Sequence, residues 1–306
     1  MNTGVSVLCA RVRVEEKQLL AALADAGVDA AQALPTAAPV PVSPVPPCPS
    51  PSPVRPGSVA EAGLGVQIDR LRERAAAGAY LRAAKTLGAT TIDAGLAATG
   101  DRLTVASALA AAGVPRPATT LALSGEAALA AVEAAGHPAT LLPLSFDAAP
   151  IALLDADMAE AVLEHREVLG GTSDVAGLVQ DGVAAEWRRV QVVVVDGVAA
   201  AMNGLVEGLL DPTALRVAEF AATVLGASCV GIDLVATDGG WLVWDVSPTP
   251  DFRHAVPLVE GGAPVALAAL ASRLAHAKRA KRTAATSKRA FVADRQEVRG
   301  GAVLIA

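Results

Sequence analysis

The sequence predicts a mixed fold, α/β in its first half and α+β in its second. Three observations predict it. Short β-like runs alternate with helix-period segments closed by glycine up to about residue 140. Two strand pairs joined by Asp-Gly turns follow after residue 189. The hydrophobic content of 53% and mean hydropathy of +0.44 come mostly from Ala and Val scattered through charged sequence. No uncharged apolar run reaches the roughly 18 residues a spanning helix needs. The 306 residues suit one large domain or two to three small ones.

In chain order, Val5–Cys9 reads as a strand and Glu15–Ala26 as a helix, with Leu19, Leu20 and Leu23 at helical spacing and Gly27 as its stop. Residues 35–57 break the pattern. Ten of the twenty prolines fall there, and no charge occurs between Asp29 and Arg55. Proline lacks a ladder donor and fixes φ, so the stretch is expected to be an extended, disordered insertion. Ile68–Arg74 is short and charged, Ala75–Leu87 is helical up to Gly88, and Thr90–Ile92 reads as a strand. Thr99–Ala112 is a helix stopped by Gly113, Pro115 and Pro117. Leu121–Leu123 reads as a strand, and Ser124 is placed to cap a helix over Glu126–Ala135. Thr140–Pro143 is a strand and Ala159–Val168 a helix. Val190–Val195 and Val198–Met202 flank Asp196-Gly197 as a hairpin, because β-branched runs either side of Asp-Gly suit a type I′ turn. Arg216–Leu225 is helical. Cys229–Val235 and Trp241–Val246 form a second pair about Asp238-Gly239-Gly240, and Pro264–His276 closes the chain's ordered part as a helix.

The formal net charge is −6, but residues 273–299 hold nine Lys/Arg against Asp294 and Glu297, a local +7 that leaves −13 elsewhere. With Phe291 as the sole aromatic there, this tail reads as a solvated helical extension rather than a nucleic-acid-binding arm. Cys9, Cys48 and Cys229 are too far apart for a CxxC site and odd in number, and the N-terminus lacks the basic-then-apolar order of a signal peptide. A reducing, cytoplasmic setting without membrane association is expected. His137, His165, His254 and His276 have no metal-ligand spacing, and Gly63-Leu64-Gly65 lacks both a preceding strand and a third glycine.

The stretch richest in chemistry is Gly231-Ile232-Asp233-Leu234 followed by Trp244-Asp245-Val246-Ser247. Each strand of the pair carries one carboxylate, and a plausible register puts both on one face. Two such carboxylates can share a hard cation such as Mg²⁺, which takes oxygen ligands and bridges phosphates. Two acids on a solvated face are the bland alternative.

The colinear set Gly100-Asp101-Arg102, Ala112–Pro117, Glu164–Gly171, Val179-Gln180-Asp181, the 190–202 hairpin, Val230–Leu234 and Trp244–Arg253 resembles the ATP-grasp ligases of the RimK and lysine-biosynthesis LysX type. The resemblance runs from the first strand to about residue 275, the proline insertion apart. It implies an ATP-grasp fold with an N-terminal Rossmann-like domain (1–97), a small central lobe (98–177), a C-terminal lobe (178–276) and a basic tail (277–306). It implies a ligase that joins a carboxylate to an amine through an acyl-phosphate with ATP and Mg²⁺. The LysX type acts on the C-terminal glutamate of a small acidic carrier protein. Carried over by position, Asp233, Asp245 and Ser247 are the metal ligands, and the backbone around Gln180 and Asp181 faces adenine. Arg253 meets the amino-acid substrate. A homo-oligomer or a pairing with a paralogue is expected.

The departures from that family are concentrated at the phosphates. Its strand lysine, in a Lys-Pro pair, is here Leu142-Pro143, and its glycine-rich loop is here Leu144–Pro150, LSFDAAP, without glycine. Backbone amides cannot approach a phosphate as closely when side chains crowd the loop. The hairpin arginine aligns with Gln191, and Arg188 or Arg189 replaces it only if the register slips. The substrate loop is cut to Asn203–Leu210, and a Glu/Asn ligand pair has become Asp245/Ser247. Arg70, Arg72, Arg74 and Arg102 are candidates to supply replacement charge, Arg102 at the nucleotide. Two functions follow from the sequence: a ligase with an unusual site, or a non-catalytic ATP-grasp homologue serving as a binding or structural partner. Phosphoryl transfer depends on positioned charge, so the joint loss of these groups favours the second.

Overall fold

The computed structural model describes residues 4–33, 65–170, 176–182, 188–204 and 211–300, with the backbone alone at 170, 282 and 284–300. The proline-rich insertion, Gly63-Leu64 and most of the shortened substrate loop lie outside these residues.

Three sheets organise the described residues. The first is parallel, in the order β2-β1-β3-β4, from β1 (Val5–Leu8), β2 (Ala30–Ala33), β3 (Val66–Asp69) and β4 (Thr90–Ile92). Helices α1 (Val14–Asp25) and α2 (Arg74–Thr86) connect or flank these strands as parallel pairing requires. Both β2 and β3 escape the sequence patterns. Ala30–Ala33 has no β-branched residue, and Val66–Asp69 is buried at all four positions, which removes the alternation that marks a half-buried strand. A 3₁₀ turn at Gly95–Thr99 and α3 (Arg102–Ala111) come next. The expected helix from Thr99 thus begins three residues later, where the Asp101 carboxylate accepts from the Leu103 amide.

The second sheet is antiparallel, in the order β5-β8-β6-β7: β5 (Thr119–Ala122), β6 (Ala139–Pro143), β7 (Ile151–Leu153) and β8 (Gly177–Asp181). Helices α4 (Gly125–Ala135) and α5 (Ala156–Gly170) cover one face, with Leu141, Leu153, Leu163 and Val179 at the core between them. Ser124 caps α4 through the Ala127 amide, as expected. Strand β8 pairs with both β5 and β6, so Gly177–Asp181 belongs to this sheet.

The third sheet is antiparallel, in the order β12-β11-β9-β10-β13. Its strands are β9 (Arg189–Val195), β10 (Val198–Asn203), β11 (Cys229–Thr237), β12 (Gly240–Ser247) and the two-residue β13 (Val256–Pro257). The β9–β10 hairpin is the one read from sequence, with Asp196 (φ 53°) and Gly197 (φ 79°) both in the left-handed region a type I′ turn demands. Both faces of this sheet are covered. Val192, Val194, Val230 and Ile232 face α6 (Pro212–Val224), while Val193, Val195 and Cys229 share a core with α1 and α7 (Gly262–Gly300). Burial on two faces explains the unbroken valine run.

Helix α7 continues 24 residues past His276, so the closing helix and the tail read as a helical extension are one element. Nothing between Pro264 and Gly300 breaks it, and Ala, Lys and Arg are strong helix formers. Among the described residues, no helix is long and apolar enough to cross a membrane.

Candidate functional site

The register of the third sheet assembles a polar row. Asp233 on β11 stands opposite Asp245 on β12 and opposite Gln191 on β9, and Gln191 stands opposite Asn203 on β10. The pair of carboxylates read from sequence is therefore a direct cross-strand pair, followed by a bulge between Asp233 and Leu234. Ser247 lies two pairs further along, opposite Gly231 and on the same face as Asp245. Gln191 Nε2 donates to Asp233 Oδ1 at 2.8 Å, and Asn203 Nδ2 donates to the Asp251 carbonyl at 2.6 Å. No register slip brings an arginine into this row. Arg189 pairs with Val235 and lies over the Trp244 ring at 5.5 Å, and Arg188 lies over Trp241 at 4.9 Å.

Burial pushes the Asp233 carboxyl up to about 7, and the neighbouring Asp245 charge adds to the rise against the Gln191 hydrogen bond and the Arg102 charge. The folded value is raised above the ~3.9 of an unfolded aspartate. The stabilising contribution of the neutral carboxyl is thus complete below about pH 4 and lost as pH rises through about 7. Stability measured by urea unfolding is expected to fall from pH 5 to pH 8 by on the order of 2–3 kcal/mol through this group. The Asp233→Asn variant should flatten that decline, and an unchanged slope would assign it to other groups.

Arg102 occupies the space between the second and third sheets. Its side chain is 6% exposed. Nε and Nη2 donate to the two oxygens of Asp245 at 3.3 and 3.2 Å. Nη1 lies 2.9, 2.6 and 3.0 Å from the carbonyls of Pro143, Ser145 and Ala148, so its two hydrogens are shared among three acceptors. The Phe146 ring lies 4.6 Å from the guanidinium carbon. The sequence places Arg102 at a nucleotide; here it is a partner of Asp245 and of the 143–148 backbone.

Leu142 is 1% exposed and shares a small apolar cluster with Ala106 and Leu178. Between Leu142, Leu178, Arg102, Arg116, Val243 and Asp245 remains a cavity of about 10 Å³, room for about one water. Gln180 is fully buried, with Nε2 donating to the Trp244 carbonyl at 3.1 Å across the two sheets. The Asp181 amide donates to the Ala118 carbonyl, and residues 183–187, next in the chain, lie outside the described residues.

Arg253 lies on the other side of the polar row. It pairs with the Asp251 carboxylate and reaches Glu15 Oε1 at 3.5 Å. Glu15 is 1% exposed, and its other oxygen is buried without a hydrogen-bond partner.

Sequence reasoning missed three contributors. Glu15 enters the sequence reading only as the first residue of a helix. Gln191 was read only as a lost arginine. Arg116, whose burial pushes its guanidinium down against the Asp245 charge, lines the cavity. The Pro115-Arg116-Pro117 context is the one available signal for the last, since flanking prolines hold an extended backbone, and the Pro115 carbonyl indeed accepts from the Val243 amide on β12.

The implied Mg-nucleotide does not fit these residues as arranged. Both oxygens of Asp245 are taken by a guanidinium, and Leu142 offers no charge. Among the described residues, no group of three His, Cys, Asp or Glu side chains is arranged to hold a metal.

A parallel sheet followed by two antiparallel sheets is the order of the ATP-grasp fold, and solved structures agree over nearly the whole chain. A RimK-domain ATP-grasp protein from Sphaerobacter thermophilus is 25% identical with a TM-score of 0.70, covering 89% of this chain and 98% of its own. The ATP-grasp ligase PsnB, solved with a minimal precursor, Mg and ADP, is 16% identical with a TM-score of 0.59 and coverages of 90% and 99%. D-alanine–D-alanine ligase from Bacillus anthracis is 13% identical with a TM-score of 0.60 and the same coverages. The last two likenesses carry the fold alone. No protein-family model matches the chain.

Proposed function

We propose that this chain is a non-catalytic ATP-grasp homologue of the RimK/LysX type. It keeps the scaffold of a carboxylate–amine ligase and uses it as a binding or structural subunit, alongside an active paralogue. The observation that carries the reading is the Arg102 guanidinium on both oxygens of Asp245, the residue to which the resemblance assigns a metal. A fixed organic cation there makes Mg²⁺ redundant as a counter-charge, and Leu142 supports the same reading from the opposite lobe. PsnB, of the same fold, is solved with its precursor peptide. A peptide or small acidic carrier protein is the partner class we propose for this chain.

Calorimetric titration of the purified protein with Mg-ATP tests the reading, beside a Leu142→Lys variant. No binding heat is expected from the unmodified protein. Micromolar binding would overturn the proposal and restore the ligase reading, in which Asp233, Asp245 and Ser247 hold Mg²⁺, Gln180, Asp181 and Arg102 contact the nucleotide, and Arg253 meets the amino acid.

A further inference from the structure

We infer that Leu144–Ala148 is an internal strap, pinned by Arg102, that ties the three sheets into one closed body. The inference deepens the proposed function and rests on it: the loop that would cradle phosphates in a ligase is engaged within the protein itself.

The contacts form an unbroken line from the first sheet to the third. Asp69, at the end of β3, pairs with Arg74 Nη2 at 2.8 Å, and both side chains are buried. Arg74 opens α2, and its amide donates to Asp147 Oδ1 at 2.5 Å, while the Ala75 amide lies 3.3 Å from Asp147 Oδ2. A strap residue thus satisfies the unpaired amides at the start of a helix belonging to the first sheet. The Asp147 amide in turn donates to Ser145 Oγ at 3.1 Å, which steadies the carboxylate. The strap is also zipped to the start of α3. The Arg102 amide donates to the Leu144 carbonyl at 2.8 Å, the Phe146 amide donates to the Gly100 carbonyl at 3.2 Å, and Asp101 and Ser145 form a β-bridge. The carbonyls of Ser145 and Ala148 then receive Arg102 Nη1, and the same guanidinium ends on Asp245 of β12.

Gly100 permits this approach. Its φ is +86°, and a Cβ there would stand 3.1 Å from Arg74 Cβ. Separating the second and third sheets would part the Arg102 guanidinium from Asp245 and leave each charge without its partner, while Arg102 stays bound to the strap, so the pair favours the closed arrangement. Glycine in LSFDAAP would have left the backbone free for a ligand; Phe146 and Asp147 commit it to Arg102 and to α2.

Hydrogen exchange by mass spectrometry on the full chain tests this. In the unmodified protein, the amides of Phe146, Arg102, Arg74 and Ala75 should exchange slowly. Arg102→Met should accelerate exchange in 144–148 and in 242–247 by about tenfold or more. Asp147→Ala removes an exposed carboxylate and is the variant expected to fold in any case. It should accelerate exchange in the strap and in the first turn of α2. Unchanged exchange at the strap in Asp147→Ala, or at 242–247 in a folded Arg102→Met, would overturn the inference. The two readings fail separately. Mg-ATP binding by the unmodified protein with a protected strap would sink the non-catalytic reading alone. Fast strap exchange without nucleotide binding would sink the strap alone.

Discussion

Arg102→Met is expected to destabilise the protein by about 3–5 kcal/mol, seen as a lower urea midpoint at unchanged slope. The cost arises because Asp245, 14% exposed at its side chain, loses its counter-charge, and three inward-facing carbonyls lose a donor. Methionine keeps much of the arginine stem's volume, so a cavity contributes little. The companion variant Arg102→Met/Asp245→Leu should recover most of the loss, because a buried ion pair replaced by apolar residues of similar size is often neutral. A double variant no more stable than the single would show that the ion pair is not the source, and that the carbonyl contacts or packing are.

Arg70→Leu is the second large effect, expected at about 3 kcal/mol and a fall in thermal midpoint of roughly 5–10 °C by calorimetry. Arg70 is 2% exposed, donates to the fully buried Glu16 at 3.1 Å and to the Pro250 carbonyl at 2.9 Å, and lies over the Phe252 ring at 4.8 Å. It therefore ties β3 and α1 to the segment after β12. Burial alone would raise the Glu16 carboxyl, but hydrogen bonds from Arg13 and the Arg70 charge outweigh it and hold it below the usual range. Because Arg13 remains on Glu16 after the substitution, the loss should be less than for a carboxylate left wholly alone. Arg70→Lys should fall between, since an ammonium cannot reproduce the guanidinium's two directed donors and ring contact. A lysine variant as stable as the parent would assign Arg70 a role as charge alone.

Much of the local architecture was legible because its causes are local. Asp196-Gly197 dictated the hairpin through two left-handed backbone positions, Ser124 its helix cap, and the short turn at 238–240 the facing of Asp233 and Asp245. The missed strands β2 and β3 carry no local signal: one is alanine-rich and the other buried at every position. The closing helix read over Pro264–His276 runs on into the tail read as helical, since neither glycine nor proline stands between Pro264 and Gly300 to end α7.

The site divides along the same line. From the residues alone came the carboxylate pair, the absence of a lysine at Leu142, the absence of glycine in LSFDAAP and the resemblance to an ATP-grasp ligase. Short-range spacing carries the carboxylate pair, and the two absences are absences only against the family that the colinear anchors resemble. Only the tertiary structure decided what fills the gap they leave. Arg102 and Asp245 are separated by 143 residues, and Asp147 reaches an amide 73 residues away. No periodicity or motif links such partners. Which of the many arginines desolvates onto which carboxylate is settled by how the sheets stack, because a buried charge must find its partner wherever the packed fold brings one within reach.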